Sequence, residues 1–582
     1  GLIQDLAIIL ALLILAILFF GPVTIGGKTM LPADNVFVWE PWASYAAQAG
    51  VSAPHNDLLS DLYLENYAWK RFIVNSLRDR QLPLWNPYIL AGQPFLAAGQ
   101  HSAMYPFSIL FYILPLTVAY GWFAALHLFL AGAFTYTLAR TLHLSRSGGA
   151  LAATAFEFCG FTVTHNVFPM IVAAMVWLPL ILAVIERMVN RAEAGEARPL
   201  AYMLDLVLGA IAFGMVFLAG HPEMYYYAAL ASAALTLWRL VGLFRRQRRA
   251  LPVLAIAGAL LAMACLGAGL GAAQWLPLFT LVRNNFREGS ASFRDVLGWA
   301  YPQRRLISLL IPDFFGNPSH HTYFDLWSWR RTPVTVNALG QPLAAISAIE
   351  FSIKNYVEGA GYLGMLPSLL AIIGALRWKG RHVGFFAMLA VLSILFVFGS
   401  PLYWIIYHLP GLNQVHSPFR WILLYSLSMA LLAGMGYDAL WQRRGAAGHW
   451  LRRVARWGER LLSRGVLWAG LATLGGLAAG LLAKDHLVTL ADWIMRRLSG
   501  APQAFADGRM FYSYQFRNVL ILGSALAASG LLLWLQPRFR RAWVWGGLAT
   551  LVVVGELFVI GKPFFPANDP ALVGYRTPAI DF

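Results

Sequence analysis

Charged residues are scarce in this chain. They fill 12% of its 582 positions, against about 25% in ordinary globular domains, while 59% are hydrophobic and the mean hydropathy is +0.60. That balance excludes a string of soluble domains and defines a polytopic membrane protein. Acidic residues are the scarcer kind: 27 Asp and Glu stand against 44 Lys and Arg, a net charge of +17 and a pI near 10.0. An excess of that size raises the question of nucleic acid. The basic residues, however, sit in short loops between apolar segments and form no continuous basic face or tail, so no nucleic-acid partner is expected. Their placement instead follows the positive-inside pattern and implies contact with anionic membrane lipids. Cysteine is nearly absent. Cys159 and Cys265 lie in separate apolar segments with no CxxC or Cys/His cluster, which argues against a disulfide framework, a zinc site or a thiol nucleophile. The N-terminal run from Leu6 to Phe20 lacks a basic leader region and reads as a retained first span.

What the chain has in abundance is long apolar runs. About 20 apolar residues cross a bilayer, and such segments recur about thirteen times, at 2–24, 117–140, 148–166, 168–186, 199–218, 223–244, 252–282, 360–377, 383–399, 418–440, 466–484, 517–535 and 542–561. With the first span running outward, the alternate loops carry Arg140 and Arg146, then Arg187, Arg191 and Arg198, then Arg245, Arg246, Arg248 and Arg249. Arg377, Lys379 and Arg381, the stretch from Arg443 to Arg464, and Arg538, Arg540 and Arg541 complete the series on the same side. The N-terminus is therefore expected inside a bacterial cytoplasmic membrane and the C-terminus outside. Within the basic stretch, Trp450, Leu451, Val454, Trp457 and Leu461 recur at helical spacing, as in a helix lying on the inner leaflet. The transmembrane domain is expected over 1–561, with long extracytoplasmic connections at about 25–116, 283–359 and 485–516. The Pro-rich segment 562–582 reads as a short tail or as the start of a soluble extracytoplasmic domain.

The first long connection carries the densest chemistry. From Asp57 to Leu77, Leu58, Leu62, Trp69, Phe72, Ile73 and Leu77 recur at three- and four-residue spacing, predicting an amphipathic interfacial helix that ends at Gln81-Leu-Pro83. On it Asp61 and Glu65 are neighbours on one face. Paired carboxylates can hold a divalent cation, or one can raise the pKa of the other and make it a better base. The same spacing also suits a solvated face, with Glu65 paired to Lys70 or Arg71. Beyond the helix, Pro83, Pro87, Gly92 and Pro94 fix a compact turn that presents Trp85, Asn86, Tyr88 and Gln93, groups suited to stacking on a sugar ring and bonding its hydroxyls, or simply to packing a loop.

The order Asp61-Leu-Tyr-Leu-Glu65, Trp69-Lys-Arg-Phe72, Pro83-Leu-Trp-Asn-Pro-Tyr88, Gly92-Gln-Pro-Phe-Leu96, Gln100 and Tyr105-Pro-Phe107 resembles the YfhO family of bacterial membrane proteins. The resemblance runs on through Leu218-Ala-Gly-His-Pro-Glu223, Gln274-Trp-Leu-Pro277, Pro312-Asp-Phe-Phe-Gly316, Glu358 with Tyr362-Leu-Gly364, Ser417-Pro-Phe-Arg420 and Leu432-Ala-Gly-Met-Gly436. That family is grouped with glycosyltransferases of the GT-C type. The resemblance implies an all-α, GT-C-like bundle and an extracytoplasmic, inverting transfer of sugar from a polyprenyl-phosphate donor to an envelope glycan, lipid or protein.

It also implies that Asp61 is the catalytic carboxylate, while the usual amide at the position of Glu65 weighs against a metal pair. A divalent cation, Mg or Mn, stays open as a cofactor. The leaving phosphate calls for cations, and Arg420 is expected to supply one, with Arg283, Arg287 and Arg294 as further candidates or as snorkelling interfacial anchors. Gln100, His221, Glu223 and Glu358 complete the expected substrate-binding set, the last three also having ordinary turn or helix-start readings.

Two rival readings remain at this point. A transporter or flippase of lipid-linked sugars would use deep acids such as Glu157, which has His165 and Asn166 further along its segment, or Glu556. A non-catalytic subunit would hold a larger membrane complex together.

Overall fold

The computed structural model describes residues 1–581 except 197, 285–290, 344–347, 352–353, 378–379, 410, 416 and 442–448. Arg287, Lys379 and Arg443 therefore lie outside the described residues. Helix dominates, and the described strands pair only as three short two-stranded ribbons. Among the described residues ten helices are long and apolar enough to cross a membrane: Leu2–Phe19, Leu116–Thr141, Pro169–Glu193, Pro199–Leu218, Pro222–Gln247, Ala250–Leu270, Pro418–Trp441, Leu461–Leu482, Gly508–Arg538 and Ala542–Phe564. Met365–Leu376 and Arg381–Val397 are apolar but shorter. The protein is thus an α-helical, multi-pass membrane protein.

The segment Pro169–Glu193 is the axis of the bundle. Its apolar window is wholly buried, as expected of a helix hydrophobic on every side. Around it the helices approach on small residues, since lipid gives apolar side chains little reason to leave it and close backbone packing must hold the spans together. A Cβ at Gly374 would stand 3.0 Å from the backbone nitrogen of Gly436, and one at Gly148 would stand 2.9 Å from the carbonyl oxygen of Gly434. The Leu432-Ala-Gly-Met-Gly436 motif is therefore a packing seam.

The spans depart from the expected ones where the backbone is interrupted. Segment 148–166 is not one helix. Arg146–Glu157, capped by Ser145, stops at Phe158 and resumes at Gly160, whose amide bonds the carbonyl of Tyr362 instead of continuing the helix ladder. Segment 252–282 divides at Gly271 into Ala250–Leu270 and Ala272–Arg283. The helix expected on the membrane surface within 443–464 is instead continuous with a span, as His449–Leu482.

Arginines from the loops near residues 140, 190, 246 and 381 gather at one end of the bundle, where Glu193 pairs with Arg239, Arg246 and Arg381 and Asp5 pairs with Arg140 and Arg146. The 26-residue helix Pro222–Gln247 spans about 39 Å at about 1.5 Å per residue, with Glu223 at its start and Arg246 near its end. At the Glu223 end the three long connections pack on one another. Asn56 donates to Ser319 at 3.1 Å, Lys484 to the Leu326 carbonyl at 2.6 Å, and Phe315, Ile349, Phe351, Met495, Phe505 and Phe511 form a small separate core. The segment after the last span joins them. Thr29 pairs with Asn568, Trp42 donates to the Tyr575 carbonyl at 3.0 Å, and Asn568 donates to Asp34 at 2.6 Å. Residues 562–581 are thus docked on the first connection.

Candidate functional site

The expected helix over Asp57–Leu77 forms in three pieces. Asn56 caps a 3-10 turn at Asp57–Leu59, Leu62–Tyr67 winds as a π-helix, and Ala68–Arg78 continues as α-helix. The π turn is wider than an α turn and is common at functional sites. Here it is held from below. Asn66, buried, accepts from Tyr120 at 2.9 Å, and Lys70, 1% exposed, donates to the His101 carbonyl at 2.6 Å. Lys70 therefore does not pair with Glu65. Among the described residues neither Asp61 nor Glu65 has an ion-pair partner; both are exposed and line a cleft.

That cleft has a volume of about 1010 Å³ and is lined by Asp61, Glu65, Gln100, His221, Glu223, Arg283 and Arg420 among its polar groups. Its remaining wall is apolar and aromatic, with Phe168, Ile171, Phe217, Tyr226, Trp275 and Phe279. Loss of water lifts Asp61 above the usual carboxylate range, and Glu65 rises for the same reason and through the neighbouring Asp61 charge.

Residues far apart in sequence form the cleft because the first connection docks on the turn between two spans. Ser102 donates to the Ala219 carbonyl at 2.7 Å, and buried Gln274 donates to the Leu96 carbonyl at 3.0 Å. Gly220 has φ +86 and lies against Gly99, whose carbonyl occupies the place of a Cβ. Only glycine combines that backbone with that approach. This contact places Gln100 in the wall.

Arg420 stands at the base of the cleft. Its guanidinium meets Glu223 at 2.7 Å and Glu358 at 2.7 Å, and Nη1 lies 3.3 Å from His221 Nε2. His165 Nε2 is 3.4 Å from Glu358 on its inner side. Against the effect of burial, the Arg420 guanidinium and the His165 bond hold Glu358 down to about 2. Burial first, and Arg420 next, push His221 well below its ordinary value and keep it neutral. Glu358 therefore acts from behind Arg420.

Other expected contacts do not meet the cleft. Trp85 and Tyr88 are exposed on a small hairpin, Trp85 opposite Pro94 and Asn86 opposite Gln93, while Asn86 is buried and caps the Tyr88 amide. None of Trp85, Asn86, Tyr88 and Gln93 lines the cleft; Tyr88 instead packs edge-on against Phe72, with ring centroids 6.1 Å apart. Arg294 is exposed in the short helix Phe293–Gly298 and is also outside it. Arg283 does line the cleft, rests 4.3 Å over the Phe279 ring, and has no ion-pair partner among the described residues. Sequence reasoning did not assign the aromatic wall, although Trp275 stood in the Gln274-Trp-Leu-Pro277 motif and Tyr225-Tyr226 follow the His-Pro-Glu turn by one residue. Among the described residues no group of three or more His, Cys, Asp or Glu is placed to hold a metal. Asp61 and Glu65 are the pair that would meet a cation.

Fold and cleft together define a multi-pass membrane protein with a buried charge network opening to an apolar-walled site. The sequence resemblance holds over part of this architecture: residues 100–293 match the family described as "Bacterial membrane protein YfhO". No curated protein matches the chain. Among solved structures it is similar to ArnT from Cupriavidus metallidurans bound to undecaprenyl phosphate, at 13% identity and a TM-score of 0.41, covering 85% of this chain and 71% of that one. It is also similar to the apo oligosaccharyltransferase of Archaeoglobus fulgidus, at 13% identity and a TM-score of 0.37. That alignment covers 75% of this chain and spans half the length, 50%, of the archaeal one.

Proposed function

We propose that the protein is an inverting glycosyltransferase of the GT-C type, acting at the extracytoplasmic face of the bacterial inner membrane, with its N-terminus inside and its C-terminus outside. It moves a sugar from a polyprenyl-phosphate carrier to an envelope glycan, lipid or protein. The observation that carries this reading is the composition of one cleft: the Asp61 and Glu65 carboxylates and the Arg283 guanidinium, without ion-pair partners among the described residues, beside an apolar aromatic wall. On the helix Ala272–Arg283, Leu276, Phe279 and Val282 are exposed, giving a prenyl chain an apolar track that ends at a guanidinium.

In the step itself the acceptor hydroxyl gives its proton to Asp61 while its oxygen attacks the anomeric carbon. The bond from that carbon to the phosphate oxygen breaks, and the polyprenyl phosphate leaves with the bonding pair. A base with a raised pKa is closer to the working pH, and Arg283 meets the charge developing on phosphate. Arg420 already balances two carboxylates, so its role is to orient Glu223 and His221 at the acceptor side. A divalent cation, if used, would bind Asp61 and Glu65.

The interrupted helix after Glu157 is the one observation that favours a transporter. Glu157 is fully buried and is not among the residues lining the cleft, so the transferase reading is preferred.

The test is transfer by the purified protein from labelled polyprenyl-phosphate sugars to a crude envelope acceptor. Label should leave the lipid with the wild type and stay on it with Asp61→Asn. Equal transfer by both would remove Asp61 as base, and label crossing a vesicle membrane without transfer would favour transport.

A further inference from the structure

A second cleft, of about 1010 Å³, lies at the arginine-rich end of the bundle, bordered by the helices Leu2–Phe19, Leu116–Thr141, Pro169–Glu193 and Arg381–Val397, with Arg198 entering it just before Pro199–Leu218. It is lined by Arg140, Arg187, Arg191, Arg198 and Arg381 against Asp5, Glu193 and Glu196, five cations to three anions. Each carboxylate in an ion pair there serves more than one guanidinium. Asp5 is shared by Arg140 at 3.4 Å and Arg146 at 3.1 Å; Asp205, just behind the wall, by Arg187 at 2.5 Å and Arg191 at 3.1 Å. Glu193 is shared by Arg381 at 2.7 Å and Arg239 at 3.0 Å. Arg198 has no ion-pair partner among the described residues.

Arg187 and Arg191 are one helical turn apart, a like-charge spacing that costs stability in isolation. Asp205 offsets one of their two charges. The rest of the wall supplies hydroxyls and an amide, from Tyr136, Thr137, Thr141 and Asn190. Planar guanidiniums with unfilled donor positions, beside hydroxyl groups, are the chemistry that recognises phosphate oxygens.

We propose that this cleft binds a phosphate group, and that its source is the headgroup of an anionic phospholipid. The lining carries two more positive than negative charges, and Asp205 behind it offsets one of them. The helices at its mouth also expose Leu2, Ile3 and Leu6 on one side and Leu200, Met203 and Leu204 on the other, surfaces along which acyl chains lie when a headgroup sits in the cleft. This site is at the opposite end of Pro222–Gln247 from Asp61 and is independent of the transfer reaction.

The experiment is native mass spectrometry of the full chain in detergent, titrated with phosphatidylglycerol or phosphatidylcholine, with inorganic phosphate as competitor. The double variant Arg140→Gln/Arg198→Gln gives up the Arg140 contacts to Asp5 and the Leu144 carbonyl but leaves Asp5 paired to Arg146, and Arg198 has no ion-pair partner among the described residues. Arg330→Gln, on an exposed hairpin at the other end, removes a like charge as a control. We expect the wild type and Arg330→Gln to retain phosphatidylglycerol over phosphatidylcholine, and the double variant to lose about tenfold in affinity for it. Displacement by millimolar inorganic phosphate would assign the site to free phosphate as well as lipid; no displacement would assign it to the lipid. Equal binding of the two lipids by the wild type, or equal phosphatidylglycerol binding by the double variant, would overturn the proposal.

Discussion

Lys70 Nζ donates to the carbonyl oxygen of His101 at 2.6 Å, and the same ammonium lies 4.5 Å above the ring of Phe111. This bond joins the helix that carries Asp61 to the strand of chain that carries Gln100, so one buried cation fixes the spacing of two cleft walls. Among the described residues no carboxylate pairs with it, and burial pushes Lys70 down to about 7.

The sign of the resulting pH dependence follows. Between about 7 and the usual lysine value of about 10.4, the unfolded chain holds a proton that the folded one has released, so stability rises with pH, by about 1.4 kcal/mol per unit from this group. Below that window both states are protonated and the desolvation cost is complete. Thermal midpoints in detergent from pH 7 to 9.5 should climb for the wild type, and Lys70→Met should flatten the climb. An unchanged slope in the variant would assign it to other groups.

Asp61→Asn should lower transfer by about two to four orders of magnitude, the usual range for loss of a general base. Because Asp61 is raised, the wild-type rate should fall off on the acid side at a pH above the ordinary aspartate value of about 3.9. Desolvation raises Asp61, and the Asp61 charge in turn raises Glu65, so Glu65→Gln should leave that limb in place. A limb that moves to lower pH would show that the Glu65 charge also acts on Asp61.

Arginines in the cleft should separate into two kinds. Arg420→Gln leaves Glu223 and Glu358 without their shared partner, each little exposed, and should destabilise the fold by about 3–5 kcal/mol. Glu358 is held at about 2 when folded, so its stabilising effect is complete above the usual carboxylate range and is lost as pH falls toward about 2. Arg283→Gln should leave the thermal midpoint unchanged and lower kcat, since its guanidinium meets charge that develops on phosphate as the bond breaks. Steady-state kinetics beside thermal unfolding distinguishes the two, and a Gln at 283 that lowers the midpoint instead would make that arginine structural.

Gly220→Ala should detach the first connection. Its φ of +86 and the Gly99 carbonyl leave no place for a methyl group. Hydrogen exchange over 96–102 should rise and transfer should fall, while exchange in Pro169–Glu193 stays slow. By contrast Trp85→Ala and Tyr88→Ala, outside the cleft, should change donor affinity less than about twofold, as exposed side chains without a partner in the site usually do. A larger loss would bring the hairpin back into substrate binding.

Apolar runs and their basic punctuation were legible because a span must carry its hydrophobicity in consecutive residues and its arginines at the ends, which are local properties. Asp61, Gln100, His221, Glu223 and Arg420 were legible as candidates through motif order. The sequence could not tell which of them meet, because the cleft depends on Gly99 lying against Gly220 and Ser102 bonding Ala219, contacts between chain segments more than a hundred residues apart. Nor could a helical repeat distinguish a π turn at Leu62–Tyr67 from an α turn, since both present an apolar stripe. Tertiary structure also reassigned the charges. Lys70 turned inward to a carbonyl, Arg420 was taken by two carboxylates, and Arg283 was left facing the cleft, because which polar group meets a cation is decided by packing between distant segments.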